Sequence, residues 1–456
     1  MKCLAERGRN EEADVFQCPA AAADFPLLIE QLLAMLVGMV DTVMVSSAGE
    51  AAISGVSIVN DLNNLVIALL SALAGGGAVI VSQYLGHGDR ELTRKAASQL
   101  VMIAFVISTV LGLFCVAFHT GILQVLYGSV EADVMTSAKE YFWITALSFS
   151  FLGVYNSAAA LFRSMNETRS TMNVSILMNV INVIGNYIGV YVLHLGAAGV
   201  AWPTLISRIV AAVVMVGMAF NPRRAISIAW NDILAWNREL IRKILSIAVP
   251  NGIENGLFQL GKVIVSIFVA TYGTSQIAAN GVSNSLSTLC YVSEMAIQLA
   301  SVTVIGQCVG ANDYEQAEYY VHKLIRIAWI MAAVNNLLVY LAMPYALSLY
   351  SLSSETLKIA ETILTMECIA VTTIHAPAFV LPTCIRAAGD AKYTMYVGVG
   401  SMFGARVLSA YLLGTVLGMG VVGTRIGMYI DWGVRIIFFV YRWRSGKWKL
   451  YRLVSD

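Results

Sequence analysis

The chain has 456 residues, 58% of them hydrophobic and 12% charged, with a mean hydropathy of +0.72 and a formal net charge of +1. An average soluble domain carries about 25% charged residues, so an ordinary soluble protein is excluded and a polytopic membrane protein, with the lipid bilayer as its solvent, is indicated. A net charge so close to zero gives no reason to expect a nucleic-acid partner.

Residues 1–23 mix charges and hold no apolar core of the kind a signal peptide needs, so they read as a cytoplasmic tail and no cleavable leader is expected. The first apolar run, 24–46, is long enough for a hydrocarbon core of ~30 Å. It carries two acids, Glu30 and Asp41. An acid near the centre of a spanning helix costs roughly 2.5–3.5 kcal/mol, which makes it a functional candidate by default. Eleven residues at ~100° each come to ~1100°, close to three full turns, so the two acids share a face.

Five more apolar runs complete the first half, at 51–84, 93–118, 137–162, 170–193 and 197–219. In the second of the six, Asp61 lies within Asn60-Asp61-Leu62-Asn63-Asn64, a polar cluster that either lines a cavity or packs between helices. Asp89 and, later, Asp313 follow short turns and read as helix caps. In the fifth, Asn179, Asn182 and Asn186 are spaced three and four apart and share one face. Residues 220–242 form a polar linker whose Trp230, Trp236 and basic residues suit an interfacial segment.

The second half repeats the pattern at 243–271, 275–308, 317–343, 359–385, 393–414 and 420–441, followed by a basic tail, 442–456. Its intramembrane charges include Glu254, Lys262, Glu294 and Glu367. Lys262 lies ~80° round the helix from Glu254, so Glu294 or Glu367 on neighbouring helices is its expected partner. Glu30 and Glu254 either line the cavity or hold neighbouring helices. Seven cysteines include no CxxC pair, and five histidines show no metal spacing, so no cofactor is expected.

A shift of 224 residues aligns Pro26 with Pro250, Glu30 with Glu254, Asn60 with Asn284, Gln83 with Gln307, Gly86 with Gly310 and Asp89 with Asp313, giving 15 identities in 64 ungapped positions. Gly199 then matches Gly423. The expected fold is therefore all-α: twelve transmembrane helices in two six-helix lobes, 24–219 and 243–441, related by a pseudo-twofold axis along the membrane normal. Of 29 Lys and Arg residues, 22 fall in the tails and even-numbered connections. That asymmetry predicts that both termini are cytoplasmic; the plasma membrane is the expected location.

In order, spacing and duplication, the first helix (Pro26 to Val45), VSQYLGHGD ending at Asp89, ALFRSMNETR ending at Arg169, GAAGVAW, VIGQCVGAND ending at Asp313 and CIRAAGDAKYT resemble the multidrug and toxin extrusion (MATE) family, in a superfamily that also holds lipid-oligosaccharide flippases. The resemblance implies a secondary antiporter, not an enzyme. Such a transporter exports small organic, cationic or amphipathic compounds against proton or sodium influx by alternating access, and a monomer is expected. Asp41 stands where the family places its first-helix carboxylate. Asn186 stands where the family often has Asp, which leaves Asp41 as the acid of an ion site with Asn179, Asn182 and Asn186 as neutral ligands. A sodium ion is envisaged at Asp41 and Asn182. Phe258 occupies the place of the family's seventh-helix acid. Arg425 is a second departure, expected near the outer surface.

Glu30, Asp61, Glu254, Lys262, Glu294 and Glu367 remain candidates to line the substrate cavity. The alternative is a flippase for a lipid-linked saccharide, with Arg208, Lys262, Arg406 and Arg435 supplying a cationic cavity. An integral membrane enzyme is the remote alternative, because it needs an acid–histidine cluster that the chain does not group.

Overall fold

The computed structural model describes residues 26–33, 44–45, 50–128, 130–348, 350, 352–451 and 453. Asp41, the N-terminal tail and the end of the C-terminal tail lie outside the described residues. Helix α1 covers 26–33. There follow α2 (Glu50–His87), α3 (Arg90–Tyr127), α4 (Ala132–Leu147), α5 (Phe149–Ser164), α6 (Thr168–Tyr187) and α7 (Ala198–Ala219). A short α8 (Trp230–Leu234) precedes α9 (Arg238–Ala270), α10 (Thr274–Gly310), α11 (Tyr314–Ser348), α12 (Ser354–Ala370), α13 (Ala376–Ala387), α14 (Ala391–Ser401) and α15 (Gly420–Arg444). No strand occurs among the described residues.

Among those residues nine helical stretches are long and apolar enough to cross a membrane, and α4 with α5, bent by 45°, makes a tenth. The bend falls at Ser148, where no Pro or Gly announces it. The Ser148 hydroxyl turns back onto the Thr145 carbonyl and also receives Arg208 at 2.6 Å, so a side chain enters the backbone ladder at that point. Helix α15 is 25 residues long but buries Arg425, Asp431 and Arg435. With α1 and α15 included, each of the twelve expected runs contains helix.

The linker differs from expectation at its far end. Helix α9 begins at Arg238 instead of near 243, because the Asn237 side chain accepts from Leu240 N at 3.1 Å and caps it. Asp89 and Asp313 do the same for the helices that follow them, accepting from Leu92 N at 2.9 Å and Gln316 N at 3.1 Å. Trp230 and Trp236 stay exposed, while Gln99 of α3 donates to the carbonyls of Asp232 and Ala235 at 2.6 Å each.

Helices α1–α7 form one lobe and α9–α15 the other, and the contacts between them are reciprocal under the repeat. A Cβ on Gly86 would lie 2.1 Å from the Gln307 carbonyl oxygen, and a Cβ on Gly310 would lie 1.9 Å from that of Gln83. Only glycine allows two backbones this close. A Cβ on Gly306 would lie 2.8 Å from Cβ of Ser82, its own counterpart under the shift of 224, so the pseudo-twofold axis passes between these two residues.

Candidate functional site

The contacts between lobes cluster towards one end of the bundle. Besides the glycine crossings there, Gln83 Nε2 donates to the Ala387 carbonyl at 2.8 Å and Gln307 Nε2 to the Ser164 carbonyl at 2.8 Å. Further along, Asn251 of α9 reaches the Ala72 carbonyl at 3.4 Å, and Gly76 abuts Ala248. On α2 the residues of this seam, Ala72, Gly75, Gly76, Ser82 and Gly86, share one face.

Continued towards the start of α2 by steps of three and four, that face becomes Asn64, Asp61, Ser57 and Ser54, all exposed. Their repeat partners Thr288, Ser285 and Gly281 on α10 are exposed as well, together with Asn284. A helix face that touches the opposite lobe at one end and presents polar, exposed groups at the other lines a cleft between the lobes. Asp61 lies on this exposed stripe of α2.

Glu30 and Glu254 make their contacts within their own lobes. Each is buried and holds a helix of its own lobe. Glu30 receives Arg163 Nη1 and the Thr171 hydroxyl, both at 3.0 Å. Glu254 receives Arg386 Nη2 at 2.7 Å, and Arg386 Nε reaches the Thr394 hydroxyl at 3.5 Å. Arg163 and Thr171 are eight apart, as are Arg386 and Thr394, so the sequence carries a repeated R-x7-T spacing that marks these two pairs.

On α6 all three asparagines are buried, and two of them form a ladder that reaches α7. Asn186 Nδ2 donates to Asn182 Oδ1 at 3.1 Å, and Asn182 Nδ2 to the Thr204 hydroxyl at 3.0 Å. Asn179 Nδ2 is buried with no acceptor among the described residues. The face expected of these residues is formed; the position of Asp41 relative to it lies outside the described residues.

The second lobe gathers cations instead. Lys262 does not meet Glu294 or Glu367. Glu294 is buried against His375 Nδ1, and Glu367 Oε2 accepts from the Tyr429 hydroxyl at 2.7 Å. The Lys262 ammonium sits 5.2 Å from the Phe258 ring centroid, one turn away on α9, and the charges acting on it are Arg406 and Arg425. Arg406 and Arg435 lie over the same ring at 5.4 and 5.2 Å. Arg435 is tied to Asp431 Oδ1 at 3.0 Å and to the Gly398 carbonyl at 3.1 Å. Arg425 is buried, not superficial as expected: its guanidinium donates to Asn280 Oδ1 at 2.9 Å and to Asn284.

The MatE family pattern matches this chain twice, at residues 26–188 and 250–412. The two matches are offset by 224 residues at both ends, which is the internal repeat. An uncharacterized transporter, YisQ of Bacillus subtilis (strain 168), is 28% identical over 433 residues, covering 93% of each chain. A probable multidrug resistance protein, NorM of Thermotoga maritima, is 24% identical over 437 residues, 93% of this chain and 91% of that one. A solved structure of a multidrug resistance MATE family transporter in an outward-facing conformation superposes with a TM-score of 0.87 over 94% of this chain and 95% of the other, at 18% identity.

Proposed function

Because the chain belongs to the MatE family, and is therefore a membrane transporter and not an enzyme, we propose that it is a secondary antiporter exporting small amphipathic organic compounds, organic cations among them, against inward proton or sodium flow. The observation that carries this reading is the reciprocal seal of Gly86, Gln83, Gly310 and Gln307 at one end of two repeat-related lobes, below matched polar faces that stay exposed. A single barrier between pseudo-symmetric halves is the arrangement that alternating access needs. The Lys and Arg distribution supports cytoplasmic termini, so that in the plasma membrane of this reading the cleft opens outward.

The ion site of this reading is Asp41 with Asn179, Asn182 and Asn186, a sodium ion or proton binding at Asp41. The buried asparagine ladder and the unmet Asn179 amide support a polar partner for α6. Neutralising the carboxylate removes the cost of a charge in a dry lobe, which lets the helices repack and moves the equilibrium between states.

The flippase reading draws on Lys262, Arg406 and Arg435 converging in one lobe; it takes second place because Asp431 and Glu367 sit among them and Arg208 lies in the other lobe, on Ser148. The test is flux in liposomes: an imposed pH or sodium gradient drives ethidium or a carboxylated dye across membranes containing the purified protein. Equal flux with and without either gradient would overturn the antiport reading.

A further inference from the structure

Three cations around one half-buried ring repel one another wherever the surroundings are of low dielectric, and such charges are normally matched by carboxylates. Here the match is incomplete. Lys262, Arg406, Arg425 and Arg435 stand against Asp431, which holds Arg435, and Glu367, which is engaged by Tyr429. Arg425 is held by two neutral amides. Among the described residues neither Lys262 nor Arg406 has a carboxylate in ion-pair reach, and Arg406 Nε is buried with no acceptor.

The cluster also has a way in. Lys262 is exposed, and Asn284, which holds Arg425, belongs to the exposed face of α10. Arg406 lies in a wide π-helical turn, Met402–Val407, followed by a second at Ala410–Val416. Such turns in spanning helices are frequent at functional sites. Under the shift of 224, Phe258, Lys262 and Arg406 replace Ala34, Gly38 and Asn182, so the second lobe has acquired charge where the first has small or neutral residues.

We propose that this pocket of the second lobe receives the anionic group of an organic substrate, a carboxylate or a phosphate, with Lys262 at its mouth, Arg406 at its base and Phe258 as the apolar floor between them. The proposal rests on the reading of the inter-lobe cleft as the substrate path. Within that reading it adds amphipaths that carry a negative group, zwitterions included.

The test is equilibrium binding to the full-length protein in phosphatidylcholine nanodiscs, read by calorimetry, with naphthoate and its uncharged amide as probes. Loss of a charge-assisted contact predicts that the amide binds about tenfold more weakly or worse. Lys262→Gln and Arg406→Gln should each weaken naphthoate by about tenfold or more and leave naphthamide unchanged, and Lys262→Arg should restore binding. The unliganded melting temperature reports whether each variant is folded, and Lys262, being exposed, tolerates replacement. Competition by naphthyl phosphate or inorganic phosphate supports the site and extends it to phosphates; displacement by added phosphatidylglycerol supports it and assigns the anion to a lipid headgroup. Equal binding of acid and amide, or naphthoate binding unaltered in folded Lys262→Gln, overturns the proposal. Binding is read without a gradient, so its failure leaves the antiport reading to its own liposome test, and the reverse holds too.

Discussion

Gln83 reaches across the lobe boundary to donate its side-chain amide to the Ala387 carbonyl at 2.8 Å. Its counterpart Gln307 does the same to Ser164 at 2.8 Å, and the two crossings flank the contacts of Gly86 and Gly310. Four residues thus make one seal twice over. Rocking one lobe against the other must break both copies together.

The seal should be sensitive to one added methyl group on each side. In Gly86→Ala/Gly310→Ala each new Cβ meets a carbonyl oxygen at 2.1 or 1.9 Å. Overpacking of this kind costs about 1–3 kcal/mol, enough to shift a two-state equilibrium by roughly five- to 150-fold. A reporter cysteine at Ser82, fully buried on the axis, should then react with a soluble thiol reagent at least several times faster in a background without the native cysteines. Unchanged reactivity would place the barrier elsewhere.

The Glu30–Arg163 and Glu254–Arg386 pairs should behave as architecture. Removing one partner leaves a largely buried charge; with the arginine side chains 16% and 19% exposed, a loss of about 2–4 kcal/mol is expected for Glu30→Gln or Glu254→Gln. Removing both partners should cost less than the sum of the single losses. Thermal unfolding of single and double variants checks this, and strictly additive losses would contradict the pairing.

Water access should follow the stripe on α2. Asp61→Cys and Asn284→Cys are expected to react with a membrane-impermeant thiol reagent added outside intact cells, whereas Ser82→Cys in the sealed half is not. Labelling of all three alike would remove the cleft from the account.

Much of this architecture is legible in the sequence. Pro26 and Pro250, or Gly86 and Gly310, keep their register because each repeat needs the same backbone approach, and long apolar runs mark spans by length alone. Pairings between distant helices are not. A helical wheel excludes Glu254 as the partner of Lys262 but does not rank groups on other helices, and the outcome, a ring shared with Arg406 and Arg435, depends on how α9, the π-helical turn Met402–Val407 and α15 pack. Arg425 misled for a similar reason: its position five residues into α15 suggests the surface, while Asn280 and Asn284 of α10 draw it inward. At the Ser148 bend the hydroxyl that turns onto the Thr145 carbonyl also receives Arg208, sixty residues away.

The asparagine ladder should support coupling without carrying charge. Asn182→Leu removes the acceptor of Asn186 and the donor to Thr204, at a cost of about 0.5–1.5 kcal/mol for each bond lost. Gradient-driven flux in liposomes is expected to fall severalfold, with binding of substrate in nanodiscs retained. Wild-type flux in a folded Asn182→Leu protein would take the ladder out of the ion site.

The central claim is that Asp41 is the group through which an ion gradient does work. The direct measurement is dye flux in liposomes under an imposed pH or sodium gradient, wild type beside Asp41→Asn, with equal incorporation and melting temperature established for both. The account predicts that Asp41→Asn still binds substrate but loses the gradient-driven component of flux. Gradient-driven flux at the wild-type rate in Asp41→Asn would contradict it.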